Sequence, residues 1–177
     1  MTEPIKNVTF GGLTFNENLV SSKKKNEDGT YTIIFKSGKV RMTYPEQQSK
    51  KSTNGAILQP EITRHKYKQN IFGIIPISYW SPYKINNVTG ATFEVTKTGT
   101  DHIVVDNCND CTINTSGNGT RLYSKDRVSI FGGKGNEVIT DNTDVVSFYK
   151  VNSDTHMWEG VHIKNEAGTI AQDSYDN

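Results

Sequence analysis

This chain has few of the features that usually identify a protein from its residues. It holds two cysteines and five prolines in 177 residues, and its hydrophobic fraction is 33%. Two cysteines cannot build the disulfide framework of a small secreted domain. Net charge is also missing: twenty basic residues against nineteen acidic ones leave +1, so no global field draws in nucleic acid, an anionic membrane or an acidic substrate. No apolar run approaches the roughly 18 residues that span a bilayer. The greasiest stretch, 71–80, is broken by Gly73 and Pro76. Residues 1–7 lack the apolar core of a secretory signal, so the expectation is cytoplasmic synthesis without a signal peptide. The Asn-X-Thr/Ser sequons at Asn7, Asn87, Asn114 and Asn118 then read as coincidence in a chain rich in Asn and Thr.

What the chain does contain is glycine, fifteen of them, abundant Asn, Thr and Ser, and 10% aromatic residues. That mixture predicts turn-rich β structure rather than disorder. Residues 7–15 read as two short strands about Gly11-Gly12, with Val8, Phe10, Leu13 and Phe15 alternating. Residues 30–44 read as a half-buried hairpin, with Tyr31, Ile33 and Phe35 on one face of the first arm and Val40, Met42 and Tyr44 on one face of the second. Residues 45–54, rich in Gln, Ser and Lys, are expected to form a linker or exposed loop. Residues 56–67 fit a strand pair or a short helix, and 71–83 fit extended chain.

The strongest signal lies in 87–151, where a Gly followed by a short run ending in Asp recurs: 99–106, 119–126 and 135–141. A polar corner and a second apolar strand follow each run. Phe93, Ile113, Ile130 and Phe148 are spaced by 20, 17 and 18 residues. A period near twenty, made of short strands and turns, is the signature of stacked coils. Phe93, Val95, Ile103, Val105, Cys111, Ile113, Val128, Ile130 and Val138 are the expected inward residues. The predicted fold is all-β: an N-terminal β-hairpin region, 1–83, capping a short irregular parallel β-helix or β-solenoid, 84–163, with a polar, frayed tail at 164–177.

Several clusters invite a chemical reading. Cys108-Asn-Asp-Cys111 has CxxC spacing, but a zinc site needs two more soft ligands and a redox dithiol needs a helix N-terminus. Cys111 therefore reads as core and Cys108 as corner. His156, Glu159 and His162, with Asp154 nearby, resemble a metal cluster but lack the helical spacing of zinc hydrolases, and read as a solvated turn. Asp106, Asp126 and Asp141 recur at one proposed corner, where they cap turns, bind an ion, or serve as acidic catalytic residues. Gly132-Gly133-Lys134-Gly135 lacks P-loop spacing, and the lysines at 23–25 and 50–51 read as solvated turns. No catalytic residue, metal ligand or cofactor is assigned. The candidate binding residues are Tyr79, Trp80, Tyr83, Tyr123, Tyr149 and Trp158, because aromatic faces bind sugar rings without charge.

The segment Val104-Val105-Asp106-Asn107-Cys108-Asn109-Asp110-Cys111-Thr112-Ile113-Asn114, followed by Asp126-Arg127-Val128-Ser129-Ile130, resembles the right-handed parallel β-helix families. It is similar to the tail-spike and tail-fibre proteins of phages and to the cyclase-associated-protein C-terminal type. The latter resemblance implies actin binding, but the front half lacks that family's helical and proline-rich companions. The former implies a non-enzymatic tail, baseplate or receptor-binding protein, carried on a virion and trimeric, with a protein or surface glycan as partner and neither nucleic acid nor membrane. The alternatives are a small polysaccharide-active β-helix enzyme and a phage-encoded inhibitor of a host protein.

Overall fold

The computed structural model describes the backbone of residues 6–36, 40–71, 75–95, 103–114, 128–140, 146–152, 157–162 and 168–172, and side chains within 6–36, 40–64, 83–95, 103–114 and 130–139. Those residues are all-β apart from one 3-10 turn at Glu17–Leu19. The strands are β1 (Asn7–Phe10), β2 (Leu13–Asn16), β3 (Val20–Lys25), β4 (Tyr31–Phe35), β5 (Val40–Tyr44), β6 (Lys50–Lys51), β7 (Ile57–Leu58), β8 (Glu61–Ile71) and β9 (Ile75–Asn86). They continue as β10 (Thr92–Val95), β11 (Ile103–Asp106), β12 (Thr112–Asn114), β13 (Val128–Phe131), β14 (Asn136–Thr140), β15 (Val146–Asn152), β16 (Met157–His162) and β17 (Gly168–Gln172).

Apart from the small β6–β7 pair, these strands make two mixed sheets. One runs β1-β2-β8-β9-β11-β13-β15-β16 and the other β17-β14-β12-β10-β5-β4-β3. From β9 to β15 the chain alternates between them, and the neighbours within each sheet are parallel: β9, β11, β13 and β15 in one, β10, β12 and β14 in the other. Antiparallel strands flank these runs. β5 lies against β10, β16 against β15, and β17 against β14. The segment 164–177, expected to be a frayed tail, thus supplies a paired strand, because an alternating Gly-Thr-Ile-Ala-Gln run can satisfy the open edge of β14.

Side chains from both sheets meet in a single core. Leu13, Phe15, Ile33, Phe35, Val40, Met42 and Tyr44 from the first part pack with Ile85, Phe93, Val95, Ile103, Val105, Ile113, Ile130 and Val138 from the second. Alternation in the sequence found these positions, because a strand with one buried face must repeat every second residue. Residues 56–67 form strands, closing the choice between strand pair and helix.

The repeat spacing is corrected in one respect. Phe93 lies beside Ile113, but the next residue in that ladder is Val138, 25 residues on, and not Ile130. Ile130 belongs to the opposite sheet, between Val105 and Phe148. The series Phe93, Ile113, Ile130, Phe148 therefore crosses from one sheet to the other. Both sheets present a short apolar strand per repeat, and the second step is five residues longer than the first in each ladder, so spacing alone could not tell them apart.

The segment 45–54, expected to be a loop, contains a buried polar tie. Gln47 is 7% exposed. Its side-chain amide donates to the carbonyls of Pro45 and Thr89, and its Oε1 accepts from the Thr89 N–H at 2.9 Å. Its own N–H donates to the Gly11 carbonyl at 2.8 Å. One residue, through its backbone and its side chain, thus joins the first hairpin turn to the first corner after β9. Nearby, the buried Tyr44 hydroxyl donates to the Phe10 carbonyl at 2.7 Å, and burial, with a smaller contribution from Tyr31, pushes its ionisation well above the normal tyrosine range.

Two outcomes follow. Phe93→Ala should lower unfolding free energy by about 3–5 kcal/mol in urea titration, while the neighbouring exposed Glu94→Ala stays within about 0.5 kcal/mol. Stability should also fall as pH rises above about 10, where Tyr44 ionises in the unfolded chain but is held neutral in the folded one. Chemical denaturation of the wild type and Tyr44→Phe between neutral and alkaline pH reads this: the variant's curve should be the flatter.

Candidate functional surface

Three six-residue corners carry the chain from one sheet to the other: Asn86-Asn87-Val88-Thr89-Gly90-Ala91, Asp106-Asn107-Cys108-Asn109-Asp110-Cys111 and Phe131-Gly132-Gly133-Lys134-Gly135-Asn136. The second residue of each has a left-handed backbone, with φ of 61°, 53° and 67°, and so does the fifth, with φ of 74°, 54° and 70°. Asn, Asp and Gly tolerate this conformation, and other residues resist it. The signal was present as Asn87/Gly90, Asn107/Asp110 and Gly132/Gly135.

The corners stack through their backbones. Asn87 N–H donates to the Asp106 carbonyl and Asn107 N–H to that of Phe131, while Gly90 and Asp110 N–H groups donate to Asn109 and Lys134. Asn107 Nδ2 donates to Asn87 Oδ1 at 2.9 Å, continuing the stack in side chains. The third and sixth residues are buried at every level. At the lowest corner Gly133 leaves the third place empty of side chain, and an added Cβ would overlap the Cys108 carbonyl oxygen. Asn136 fills the space instead, donating to that carbonyl at 2.8 Å and accepting from Cys111 N–H at 3.1 Å.

Both cysteines are free and buried in this stack. Burial pushes the Cys108 thiol up, and its hydrogen bond with Cys111 adds to the shift. The geometry suits packing, since a nucleophilic cysteine needs an accessible thiolate.

The acidic residues do not converge. Asp106 lies between Asn86 and Phe131 in the ladder, and its carboxylate pairs with Lys84 at 3.4 Å. Asp126 and Asp141 lie outside the described residues, but the register neighbour of Asp106 is Phe131, so the proposed Asp column is not the repeating unit. Asp154 and His156 also lie outside them. Glu159 and His162 are three apart on β16, paired with Lys150 and Ser147, and strand alternation puts them on opposite faces. Among the described residues, no three His, Cys, Asp or Glu groups gather to hold a metal.

The six aromatic candidates separate. Tyr83 is buried in the core, its ring 4.4 Å from that of Phe35. That position withdraws it from any surface platform. Tyr123 lies outside the described residues. Tyr79 and Trp80 are consecutive on β9, so they take opposite faces, with Tyr79 across from Tyr67. The Tyr149 and Trp158 positions are near one another in the ladder. Tyr149 sits beside Phe131 and across from Gly160, and Trp158 is across from Val151, one diagonal step away. Because Ile130 is the core residue of β13, the Phe131 register is the outward one. The ladder places the Tyr149 and Trp158 positions in the same alternation as Phe131.

No family model matches this chain, and neither a curated protein nor a solved structure matches it.

Gly133→Ala should destabilise the protein by more than Gly29→Ala. Both positions have positive φ, but Gly29 faces open space while Gly133 faces the Cys108 carbonyl. Thermal melts of the two variants should separate by several degrees, on the scale of roughly 2 kcal/mol.

Proposed function

We propose that the chain is a non-enzymatic binding module built on a short β-solenoid, of the kind found in phage or prophage tail and baseplate assemblies, and that it engages a surface glycan or protein through the outward face of β13, β15 and β16. The observation that carries the reading is the gathering of the Phe131, Tyr149 and Trp158 positions on that face. Ring faces offer a neutral protein a way to hold pyranose rings through CH contacts without charge.

The solenoid part of the reading is supported by the alternation of parallel strands between two sheets and by three corners of equal length. Each corner hydrogen-bonds to the next through its backbone, which favours stiffness. The phage assignment rests on the resemblance of 104–114 and 126–130 and on the Asn, Thr and Gly content. An enzyme of the polysaccharide-cleaving type would want two facing carboxylates. Asp106, tied to Lys84, has Asn86 and Phe131 as register neighbours instead.

A glycan array probed with the full chain tests this. Binding should survive Tyr79→Ala and fall about thirtyfold with Trp158→Ala or Tyr149→Ala, the loss expected for truncating an aromatic anchor. A silent array, together with no change in protein partners on the same substitutions, defeats the reading.

A further inference from the structure

β3 ends the second sheet. β4 pairs with one of its edges, and among the described residues no strand pairs with the other. Ser21, Ser22, Lys23, Lys24 and Lys25 are each exposed. Two of these are serines, whose short side chains reach solvent only where the backbone beside them is open. Such an edge offers unpaired N–H and C=O groups to an extended chain laid alongside.

Which groups it offers follows from the hairpin. Asn26 N–H donates to the Thr30 carbonyl at 2.7 Å, and in an antiparallel ladder hydrogen-bonded and non-hydrogen-bonded pairs alternate. Counting back along the register, Lys25 opposite Tyr31 is a non-bonded pair, Lys24 opposite Thr32 a bonded one, and Lys23 opposite Ile33 non-bonded again. The backbone groups of Lys24 thus turn toward β4, and those of Lys23 and Lys25 turn away from the sheet. At the other end Ser21 is the extra residue of a bulge, its hydroxyl donating to the Ile34 and Phe35 carbonyls. That irregularity confines the regular edge to 22–25.

Side chains decide what fits there. Lys23 and Lys25 project on one face and Lys24 on the other, so an added strand meets a cation on both. Glu17 engages Lys23 at 3.1 Å, and the Lys25 ammonium lies 5.6 Å from the centre of the Tyr31 ring. Among the described residues Lys24 has no such partner. Lysines on an edge keep copies of one chain apart, since like charges would face each other across the new ladder. The same lysines favour acidic side chains in that place.

We propose that the 22–25 edge of β3 accepts an extended acidic segment of a partner protein as an added strand. Main-chain hydrogen bonds from Lys23 and Lys25 hold the segment, and the Lys24 and Lys25 side chains select its charge. Nucleic acid fits less well, because it has no matching peptide ladder and no aromatic residue is interleaved with these lysines. This inference is independent of the glycan reading, which uses the other sheet.

Fluorescence anisotropy of a short labelled peptide of alternating Glu and Val, titrated with the full chain, tests it, with amide hydrogen exchange as a second readout. The acidic peptide should bind, and its counterpart of alternating Lys and Val should not. In the free protein the Lys24 amide should exchange slowly and those of Lys23 and Lys25 fast; the acidic peptide should protect Lys23 and Lys25 and leave Lys24 unchanged. Lys24→Glu with Lys25→Glu should weaken binding about thirtyfold. Lys23→Gln keeps the outward N–H and should cost no more than about threefold, whereas Lys23→Pro removes it and should cost about tenfold. Proline at an outward position leaves the β4 ladder its bonds, and the exchange readout on the unsubstituted protein does not depend on that variant. The proposal is overturned if the acidic peptide does not bind, or if it binds without protecting Lys23 and Lys25, since the contact is then charge alone. Preferential binding of single-stranded DNA overturns it in favour of nucleic acid.

Discussion

Parallel strands cannot be joined by a tight hairpin, so every parallel pair in this protein depends on a corner that sends the chain across to the opposite sheet and returns it in register. The six-residue corners meet that constraint by placing left-handed residues at their second and fifth positions. Each such residue reverses the local path. The third and sixth residues between and after them then drop inward, which explains why Val88, Cys108, Ala91, Cys111 and Asn136 are all buried.

The ladders follow from the corners. Because the corners are of equal length and hydrogen-bond to one another, Tyr83, Ile103 and Val128 stack in one sheet while Thr92, Thr112 and Glu137 stack in the other. The extra residues of the longer step fall between Asn114 and Val128 in the sequence. The first part of the chain closes the assembly: β5 pairs with β10, and Gln47 ties the Gly11 turn to the Thr89 corner. A polar residue at that depth is tolerable only because both ends of its amide are satisfied.

Once the two faces of the molecule are distinguished, its aromatic residues sort by physical role. Tyr31 and Tyr44 stack at 5.7 Å and Tyr83 meets Phe35, so these belong to packing. The Tyr149 and Trp158 positions lie one diagonal step apart in the β15–β16 ladder.

Strand existence and inward positions were legible in the sequence because burial of one face imposes a period of two, as at Ile33/Phe35, Val40/Met42 and Phe93/Val95. The all-β class followed from the same pattern with the glycine and asparagine content. Which strands neighbour each other was not legible, since Ile113 and Ile130 look alike in sequence yet lie in different sheets. Gln47 looked like loop because a lone Gln carries no period. Residue type nominated Tyr83 and Tyr149 equally, and only packing sent Tyr83 to the core. Local chemistry is written residue by residue, whereas register and exposure depend on residues 20 or 25 positions away that meet only when the coils close.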